Sequence, residues 1–445
     1  MTDARVQGSA SRASTYHVVT AVWGTAFIEL FLDVCIPNQL SGGNLRALPA
    51  GSRYRIITGS ADLATLASSP KLDDVRHILP VDVVAIDLTE PDADANPNRY
   101  KMMTACHRRA VADAAAVDAA LIFLAPDFIL GEGTLAGLVR LHAGGARAVL
   151  TANLRLSRES FLAAWKARAG DGAVSSRELV ALGLRHLHPA TASCFVDGPT
   201  SNDFPTSVYW PVRSGDRIDG LLVRAFHLHP MLVDPVRREE LPATTIDGHY
   251  LAQACPDIEQ CIVVQNSDDV VAFELTPFER RVGNHDRRHG VSMLRLAAVA
   301  AKSDGYQRSH WHRPIRLHVG AFDERWSAVE ARSAAFVLEL ERYERFGPLL
   351  SRVFRAMKMW RRRRAGYART MRRRWRTEVR DALRVVRRSV RHSESQARAV
   401  RKTVQPQRIV KRVVRSAKLL YHRATKAGRL SLKRARRRVR LFHPA

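Results

Sequence analysis

Residues 119–134 read AALIFLAPDFILGEGT, and this stretch decides the fold. The apolar run 119–125 is typical of a parallel strand whose two faces are both buried. A carboxylate, Asp127, follows the run, and two glycines then precede a helical pattern that begins at Thr134. A buried strand, a turn with a polar residue and a following helix form the repeating unit of an α/β sheet.

The segments on either side of this stretch repeat the same alternation. They predict an α/β fold, namely a doubly wound, mostly parallel sheet with flanking helices. The other strands are predicted at 16–23, 54–58, 81–88 and 146–151, and the helices at 26–40, 61–68, 99–116 and 134–142. We expect Pro37 and the pair Gly42–Gly43 to end the helix that starts at residue 26.

The pattern after residue 151 is less regular. It predicts a helical region at 160–186, strands at 208–212 and 221–226, a hairpin formed by 260–265 and 270–275, and helices at 292–301 and 324–345. The predicted domains are a disordered N-terminus (1–15), a catalytic domain (16–280), a helical extension or connector (281–347) and a basic tail (348–445). Residues 280–345 either complete the catalytic domain or connect it to the tail.

The positive charge of the chain is concentrated at its C-terminus. The 445 residues have a formal net charge of +28. Residues 351–445 contain 34 Lys and Arg against three acids, whereas the first 350 residues contain 37 basic and 40 acidic groups. The predicted folded region is therefore near neutral, which weakens the case for a protein that binds nucleic acid along its whole length.

Cysteine usage and hydropathy restrict the class of protein further. The five cysteines contain no CxxC pair, so neither a zinc ribbon nor a secreted disulfide framework is indicated, and buried reduced thiols are expected. The N-terminus has no apolar signal-peptide region. No apolar run approaches the roughly 20 residues needed to span a bilayer, so we expect any membrane contact to be peripheral.

Ligands of open α/β sheets bind outside the carboxyl ends of the strands, so the residues that follow each strand are the candidate site. Asp127 is the first of these, because a carboxylate there can bind a divalent cation that bridges a pyrophosphate, or can simply order the turn. The nucleotide pocket is predicted to include Thr20, Val22, Trp23, Gly24, Asp62 and Asp127, together with Arg99 and Lys101 at the start of the helix before the fourth strand.

The order VVTAVWG, YRIIT, VVAID and ALIFLAPD resembles nucleotide-diphospho-sugar transferases of the GT-A fold over roughly residues 16–280. In that family the fourth strand ends in an Asp-x-Asp motif that coordinates a metal ion and the diphosphate. The matching residues here are Ala125, Pro126 and Asp127, so only the second carboxylate is present. The resemblance implies a divalent cation, Mn²⁺ or Mg²⁺, as cofactor, but the replacement by Ala125 puts metal dependence in question.

Two later segments supply further candidates. The resemblance implies a histidine from the second half of the domain as a metal ligand, and His227 and His229 in FHLHP lie two residues apart, as on one face of a strand. One structural and one exposed histidine is the alternative. The resemblance also implies a carboxylate near a late helix as the base that deprotonates the acceptor hydroxyl, and Asp247 matches by position. An N-cap role for Asp247 is equally compatible with the pattern.

The basic tail has apolar residues at helical spacing, with faces of arginine between them. We expect a helix over 349–401, a break at Pro406 and a second helix from Arg408. An anionic lipid surface fits the narrow apolar stripe and the long arginine stems. Nucleic acid, an acidic polysaccharide, and a solvated or coiled-coil helix remain alternatives.

These expectations combine into one functional hypothesis. The chain transfers a sugar from a nucleotide-sugar donor to a hydroxyl of a lipid-linked or cell-envelope glycan, as a cytoplasmic, peripheral protein at the inner face of the plasma membrane. The alternative is a non-enzymatic protein that uses the fold as a scaffold and the tail to bind nucleic acid. A nucleotidyltransferase is disfavoured, because residues 25–29 are apolar and acidic where such enzymes carry a Gly-rich basic loop.

Overall fold

The computed structural model describes residues 13–87, 98–168, 172–202, 205–247, 249–280, 285–286, 290–344, 346–362 and 381. The strands are β1 (Tyr16–Ala21), β2 (Arg53–Thr58), β3 (Val81–Ala85), β4 (Ala120–Phe123), β5 (Phe128–Leu130), β6 (Ala148–Thr151), β7 (Leu154–Ser157), β8 (Ser201–Asn202), β9 (Ser207–Ser214), β10 (Arg217–Ala225), β11 (His229–Val233), β12 (Cys261–Val263), β13 (Ala272–Thr276), β14 (His285–Asp286) and β15 (Ile315–His318).

The α-helices lie mostly between these strands. They are α1 (Thr25–Leu30), α2 (Ile36–Leu40), α3 (Ser60–Ala67), α4 (Asp73–Arg76), α5 (Asn98–Ala115), α6 (Thr134–Ala143), α7 (Arg158–Lys166), α8 (Ser176–Arg185), α9 (Pro189–Ala192), α10 (Tyr250–Ala254), α11 (Met293–Ala300), α12 (Gly305–Trp311), α13 (Glu324–Glu344) and α14 (Gly347–Arg362).

The main sheet has seven strands in the order β12-β6-β11-β4-β1-β2-β3. Only β11 runs antiparallel to its neighbours, β4 and β6. Every residue of β1, β4 and β6 is buried, because helices and loops cover both faces of the sheet. The structure confirms the predicted α/β fold with a mostly parallel sheet and flanking helices.

The chain changes direction across the sheet between β1 and β4. After β1 it adds β2 and then β3 at one side, and β4 returns to pair with the opposite edge of β1. The loops that follow β1 and β4 therefore diverge from each other. Such a switch point is where open α/β sheets leave a crevice for a ligand.

A three-stranded sheet, β5-β13-β7, lies beside this crevice. The hairpin predicted between 260–265 and 270–275 does not form, so this prediction is wrong. β12 joins β6 in the main sheet, whereas β13 pairs with β5 and β7. Residues 264–271 thus connect two sheets, because both apolar segments find their partners far away in sequence.

A third sheet, β15-β10-β9, includes the predicted strand pair 208–212 and 221–226, which forms an antiparallel hairpin across Gly215. β15 completes this sheet by pairing with β10. The chain divides into two units between Arg342 and Tyr343. Much of the segment predicted as an extension or connector therefore belongs to the same unit as the main sheet.

Two predicted helices differ in detail from the observed ones. Pro37 does not end the first helix, which continues from α1 through a π-helical turn at Phe31–Cys35 into α2. The wider turn accommodates a proline, which lacks an amide hydrogen and clashes with the carbonyl four residues before it. The predicted helical region 160–186 is divided into α7 and α8, with Gly172 at φ 93° between them.

Only the beginning of the basic tail is described. The helix α14 covers Gly347–Arg362 and so overlaps the start of the helix predicted over 349–401. Apart from residue 381, the remainder of that predicted helix, the break at Pro406 and the second helix from Arg408 lie outside the described residues. Among the helices that the structure does describe, none combines the length and the hydropathy required to cross a bilayer.

Candidate functional site

A cavity of about 650 Å³ lies at the switch point, outside the carboxyl ends of β1, β4 and β6. Its walls come from β1, α5, the β4–β5 loop, β7, the loop before β11, residues 245–247 and the end of β13. The volume lies within the range of small-molecule sites, which extends from roughly 300 to 1,000 Å³. The position agrees with the expectation that the site lies outside the carboxyl ends of the strands.

The part of β1 that lines the cavity is not the face that was predicted to contact a nucleotide through Thr20 and Val22. Ala21 and Trp23 line the cavity. Thr20 is fully buried and its hydroxyl lies 2.9 Å from the Tyr54 hydroxyl, and Val22 is also buried in the core. Successive side chains of a strand point to opposite faces, so Thr20 and Val22 face away from the cavity. Their predicted contact with a nucleotide is not supported by this geometry.

Gly24 and Asp62 form a structural contact beside the cavity rather than part of its lining. The Gly24 amide donates a hydrogen bond to Asp62 Oδ2 over 2.8 Å. Gly24 has φ 81°, a conformation that favours glycine. The bond joins the loop after β1 to the first turn of α3 and occupies an amide that would otherwise be available to a ligand.

The helix α5 presents one face to the cavity. Tyr100, Met103 and His107 line it, at the spacing of residues on one side of a helix. Lys101, predicted to approach the diphosphate, is exposed and does not contribute to the lining. The backbone of Arg99 lies in the first turn of α5, but its side chain lies outside the described residues.

Asp127 lies close to two charged residues of the sheet β5-β13-β7, Glu274 and Arg155. Glu274 on β13 is paired in register with Phe128 on β5 and with Arg155 on β7. The Leu275 amide donates to the Asp127 carbonyl over 2.9 Å, and Arg155 forms an ion pair with Glu274. Asp127, Glu274 and Arg155 all line the cavity, so their side chains together form its floor.

The Asp127 carboxyl is only 5% exposed. Burial and the neighbouring negative charge of Glu274 raise its pKa to about 8, although the positive charges of Arg155 and Arg280 act in the opposite direction. A carboxyl in this environment carries a proton for much of the time at neutral pH.

Three residues that line the cavity were not predicted from the sequence, namely Glu274, Arg155 and Arg280. The sequence could have indicated Glu274. A glutamate inside the apolar run VVAFELT needs a polar or charged partner if its strand is buried. That partner, Arg155, is 119 residues away in sequence. No local pattern indicates such a distant pair.

The two predicted histidine ligands do not share one strand face. Only His229 lies in β11, where its Nε2–H donates to the Phe123 carbonyl over 3.0 Å. Its ring packs edge-on against Phe128, and burial lowers its pKa. His227 precedes the strand, accepts a 3.4 Å hydrogen bond from Gln307, and has its pKa lowered by burial. Both rings are therefore neutral groups held by the protein.

Asp247 is exposed at the rim, where the cavity meets a smaller pocket. The N-cap alternative is wrong, because α10 begins at Tyr250 and its N-cap residue is His249. The neighbouring Ile246 amide donates to Nδ1 of His107 over 3.3 Å. Burial lowers the pKa of His107 to about 4, so the ring remains a neutral acceptor at physiological pH.

The side chains present do not fit a divalent cation held by the protein. Within the described residues, no group of three or more His, Cys, Asp or Glu side chains is placed to hold a metal ion. Ala125 offers no carboxylate, the Nε2 of His229 is committed to a carbonyl, and Glu274 is already paired with Arg155. Asp127, His227 and His229 thus do not form the predicted ligand set.

No family model and no curated protein matches this chain. Among solved structures, it is similar to S. aureus TarS 1–349 in complex with UDP-GlcNAc, with 10% identity, a TM-score of 0.31 and coverage of 83% of this chain and 80% of that one. A second crystal structure of TarS 1–349 aligns with 9% identity and a TM-score of 0.23, over 32% of this chain and 36% of that one.

Mouse xyloside xylosyltransferase 1, in its apo form, aligns with 10% identity and a TM-score of 0.21, over 34% of this chain and 57% of that one. In this structure and in the second TarS structure, the chain spans less than two thirds of the known protein. Likenesses of this size assign neither a family nor an activity to the chain.

Proposed function

We propose that this protein is a glycosyltransferase that moves a sugar from a nucleoside-diphosphate donor to an acceptor hydroxyl. The observation that carries the proposal is the cavity at the switch point, which combines an aromatic wall, a floor of charged side chains and a carboxylate at the rim. A nucleoside-diphosphate sugar requires these three surfaces, for its base, its phosphates and its reacting end.

The base of the nucleotide has an aromatic surface available to it. Trp23, Phe27 and Tyr100 all line the cavity. Aromatic side chains stack on any nucleobase, and such stacking contributes about 1–3 kcal/mol per base. In this arrangement the phosphates extend toward the floor, where the protonated Asp127 carboxyl donates a hydrogen bond to a phosphate oxygen.

Asp247 is proposed as the general base. In an inverting transfer it takes the proton of the acceptor hydroxyl while the hydroxyl oxygen bonds to the anomeric carbon, and the nucleoside diphosphate leaves with the electron pair of the broken bond. An exposed rim position suits this role, because the acceptor must reach the base from solvent. His107 holds the adjoining backbone through the Ile246 amide.

The tail is proposed to keep the enzyme at an anionic surface, which we take to be the cytoplasmic face of the plasma membrane. Its 34 Lys and Arg against three acids over residues 351–445 support this proposal. Each basic residue near such a surface contributes about 1 kcal/mol, so part of the tail suffices. The acceptor would then be a lipid-linked or cell-envelope glycan.

Calorimetric titration of UDP and GDP into the full-length protein tests the proposal. We expect at least one nucleotide to bind, and Trp23→Ala to weaken that binding about 10-fold or more through lost stacking. Trp165→Ala is the matched control, since Trp165 stacks on Phe161 away from the cavity. Asp247→Asn should leave nucleotide affinity within about twofold, because a base acts on the acceptor.

Absence of binding by either nucleotide at millimolar concentration, with and without Mn²⁺, contradicts the proposal. The non-enzymatic scaffold with a nucleic-acid-binding tail would then be the better hypothesis.

A further inference from the structure

We infer that two arginines, Arg155 and Arg280, hold the donor diphosphate in this protein, in place of a divalent cation. This inference rests on the proposed function, because it concerns the phosphate end of the same cavity. Both guanidinium groups belong to residues that line the cavity. The donor set for a cation is incomplete there, since Ala125 and the ion-paired Glu274 leave Asp127 without a second carboxylate free to share a metal.

Arg155 retains donors for a ligand after its contacts with the protein are made. Its Nη1 bonds to Glu274 and, over 3.2 Å, to the Thr276 hydroxyl. Its Nε and Nη2 make no hydrogen bond to the described residues, and the side chain is 33% exposed. A guanidinium presents its N–H groups in a rigid fork that matches two phosphate oxygens.

The protein holds Arg155 in place before any ligand arrives. The Arg155 amide donates to the Thr191 hydroxyl over 3.1 Å, and its carbonyl accepts from the His188 amide over 2.9 Å. Glu274 fixes the guanidinium, and the Thr276 hydroxyl lies 3.4 Å from the same Glu274 oxygen. Donors that are oriented in advance bind charge without a reorganisation cost. Glu274 is accordingly a positioning residue.

Arg280 supplies the second positive charge. It follows β13 in a turn closed by a 2.9 Å hydrogen bond from its amide to the Pro277 carbonyl. Its guanidinium makes no hydrogen bond or ion pair with any residue that the structure describes. Arginine keeps its proton throughout the physiological range, so the pair offers a constant charge to a diphosphate.

Binding of UDP and GDP, each compared with UMP and GMP, tests the inference in the full-length protein with EDTA present. We expect the diphosphate to bind more tightly than the monophosphate without metal. Arg155→Gln should weaken diphosphate binding by about 10- to 100-fold and change monophosphate binding little. Arg280→Gln should act in the same direction. Arg140→Gln is the matched control, because Arg140 is exposed and pairs with Asp269 on the surface.

The variants of Glu274 separate positioning from general stability. Glu274→Ala should reduce the preference for diphosphate over monophosphate about 10-fold, whereas Glu274→Gln should preserve most of it through the remaining carbonyl acceptor. A loss of stability alone would lower both affinities together. Thermal unfolding of each variant without ligand identifies any that fail to fold.

Three results decide the matter. Diphosphate binding that needs Mn²⁺ and is abolished by Asp127→Asn overturns the inference and leaves the proposed function intact. The same holds if binding in EDTA is unaffected by both arginine substitutions. If no nucleotide binds with or without Mn²⁺, the proposed function fails, and the inference fails with it.

Discussion

The loop that carries Asp247 depends on one buried histidine of α5. His107 is 9% exposed, and its Nδ1 accepts the Ile246 hydrogen bond because burial holds the ring in its neutral form. The same ring packs edge-on against Phe123 at the end of β4. One residue thus connects the helix, the end of the central strand and the backbone next to the proposed base. A residue of this kind positions Asp247 without touching the substrate.

We expect the amide hydrogens of the loop that carries Asp247 to exchange faster with solvent in His107→Phe. The substitution keeps the ring packing and removes the acceptor, so amide hydrogen exchange over residues 243–251 should accelerate about 10-fold. His107→Asn should recover part of the protection, because an amide oxygen occupies roughly the position of Nδ1. His77→Phe, at an exposed position, is the control. Equal exchange in His107→Phe and the unsubstituted protein would show that the hydrogen bond does not hold the loop.

Four elements meet around a buried carboxylate at the end of the sheet that lies away from the cavity, where β1 and β6 begin. Asp234, which follows β11, is fully buried and accepts from His142 of α6 over 3.0 Å. It also pairs with Arg147 before β6 and with Arg238. The other nitrogen of His142 lies 2.8 Å from the Tyr16 hydroxyl of β1. The network fixes the starts of β1 and β6 and, with them, the opposite ends that form the cavity.

Asp234→Asn should lower the free energy of unfolding by about 3–5 kcal/mol, since it leaves a buried positive charge without its carboxylate. Urea denaturation measures this change. The control is Asp269→Asn, whose exposed pair with Arg140 should contribute about 1 kcal/mol or less. A loss below about 1 kcal/mol in Asp234→Asn would mean that the network is not a major source of stability.

The pH dependence of this network has a definite sign. Burial alone would raise the pKa of Asp234, but the hydrogen bond from His142 and the charges of Arg147 and Arg238 hold it below its ordinary value. The contribution is therefore present above the unfolded pKa of about 3.9 and is lost as pH falls below that value. The unfolding free energy of Asp234→Asn should depend less steeply on pH in this acidic range.

At the scale of the whole molecule, the division of charge separates two kinds of interaction. The first 350 residues carry 37 basic and 40 acidic groups, so the part of the chain that contains the cavity is nearly neutral overall. The excess charge lies in residues 351–445. With only three acids for balancing ion pairs, the tail would lower its self-repulsion by the proposed contact with an anionic surface.

The full-length protein should bind vesicles that contain phosphatidylglycerol and not vesicles of phosphatidylcholine alone. Salt at about 0.5 M should release it, because screening shortens the range of the attraction. Glutamine at the arginine run 361–364 should weaken binding, and the control places glutamine at four exposed arginines of the first unit, Arg53, Arg140, Arg177 and Arg217. Displacement from these vesicles by stoichiometric RNA would instead favour the nucleic-acid alternative.

The α/β fold can be predicted from local sequence patterns. The apolar runs that became β1 and β4 are fully buried, and a strand buried on both faces has few alternatives to a parallel sheet covered by helices. The sequence also predicted that Asp127 follows the end of β4, and Asp127 lines the cavity there. The spacing of apolar residues along a segment is a local property, so it can be recognised in a single sequence.

Which side chains share the cavity depends on contacts between segments that are distant in the sequence. The sequence predicted the strand β1 but not which of its faces lines the cavity. For that reason the predicted contact of Thr20 with a nucleotide is not supported. Glu274 and Arg155 meet only because β13 pairs with β7 across more than a hundred residues. Cross-strand pairing depends on how two distant segments pack against a common core, and neither segment carries information about the other in its own spacing.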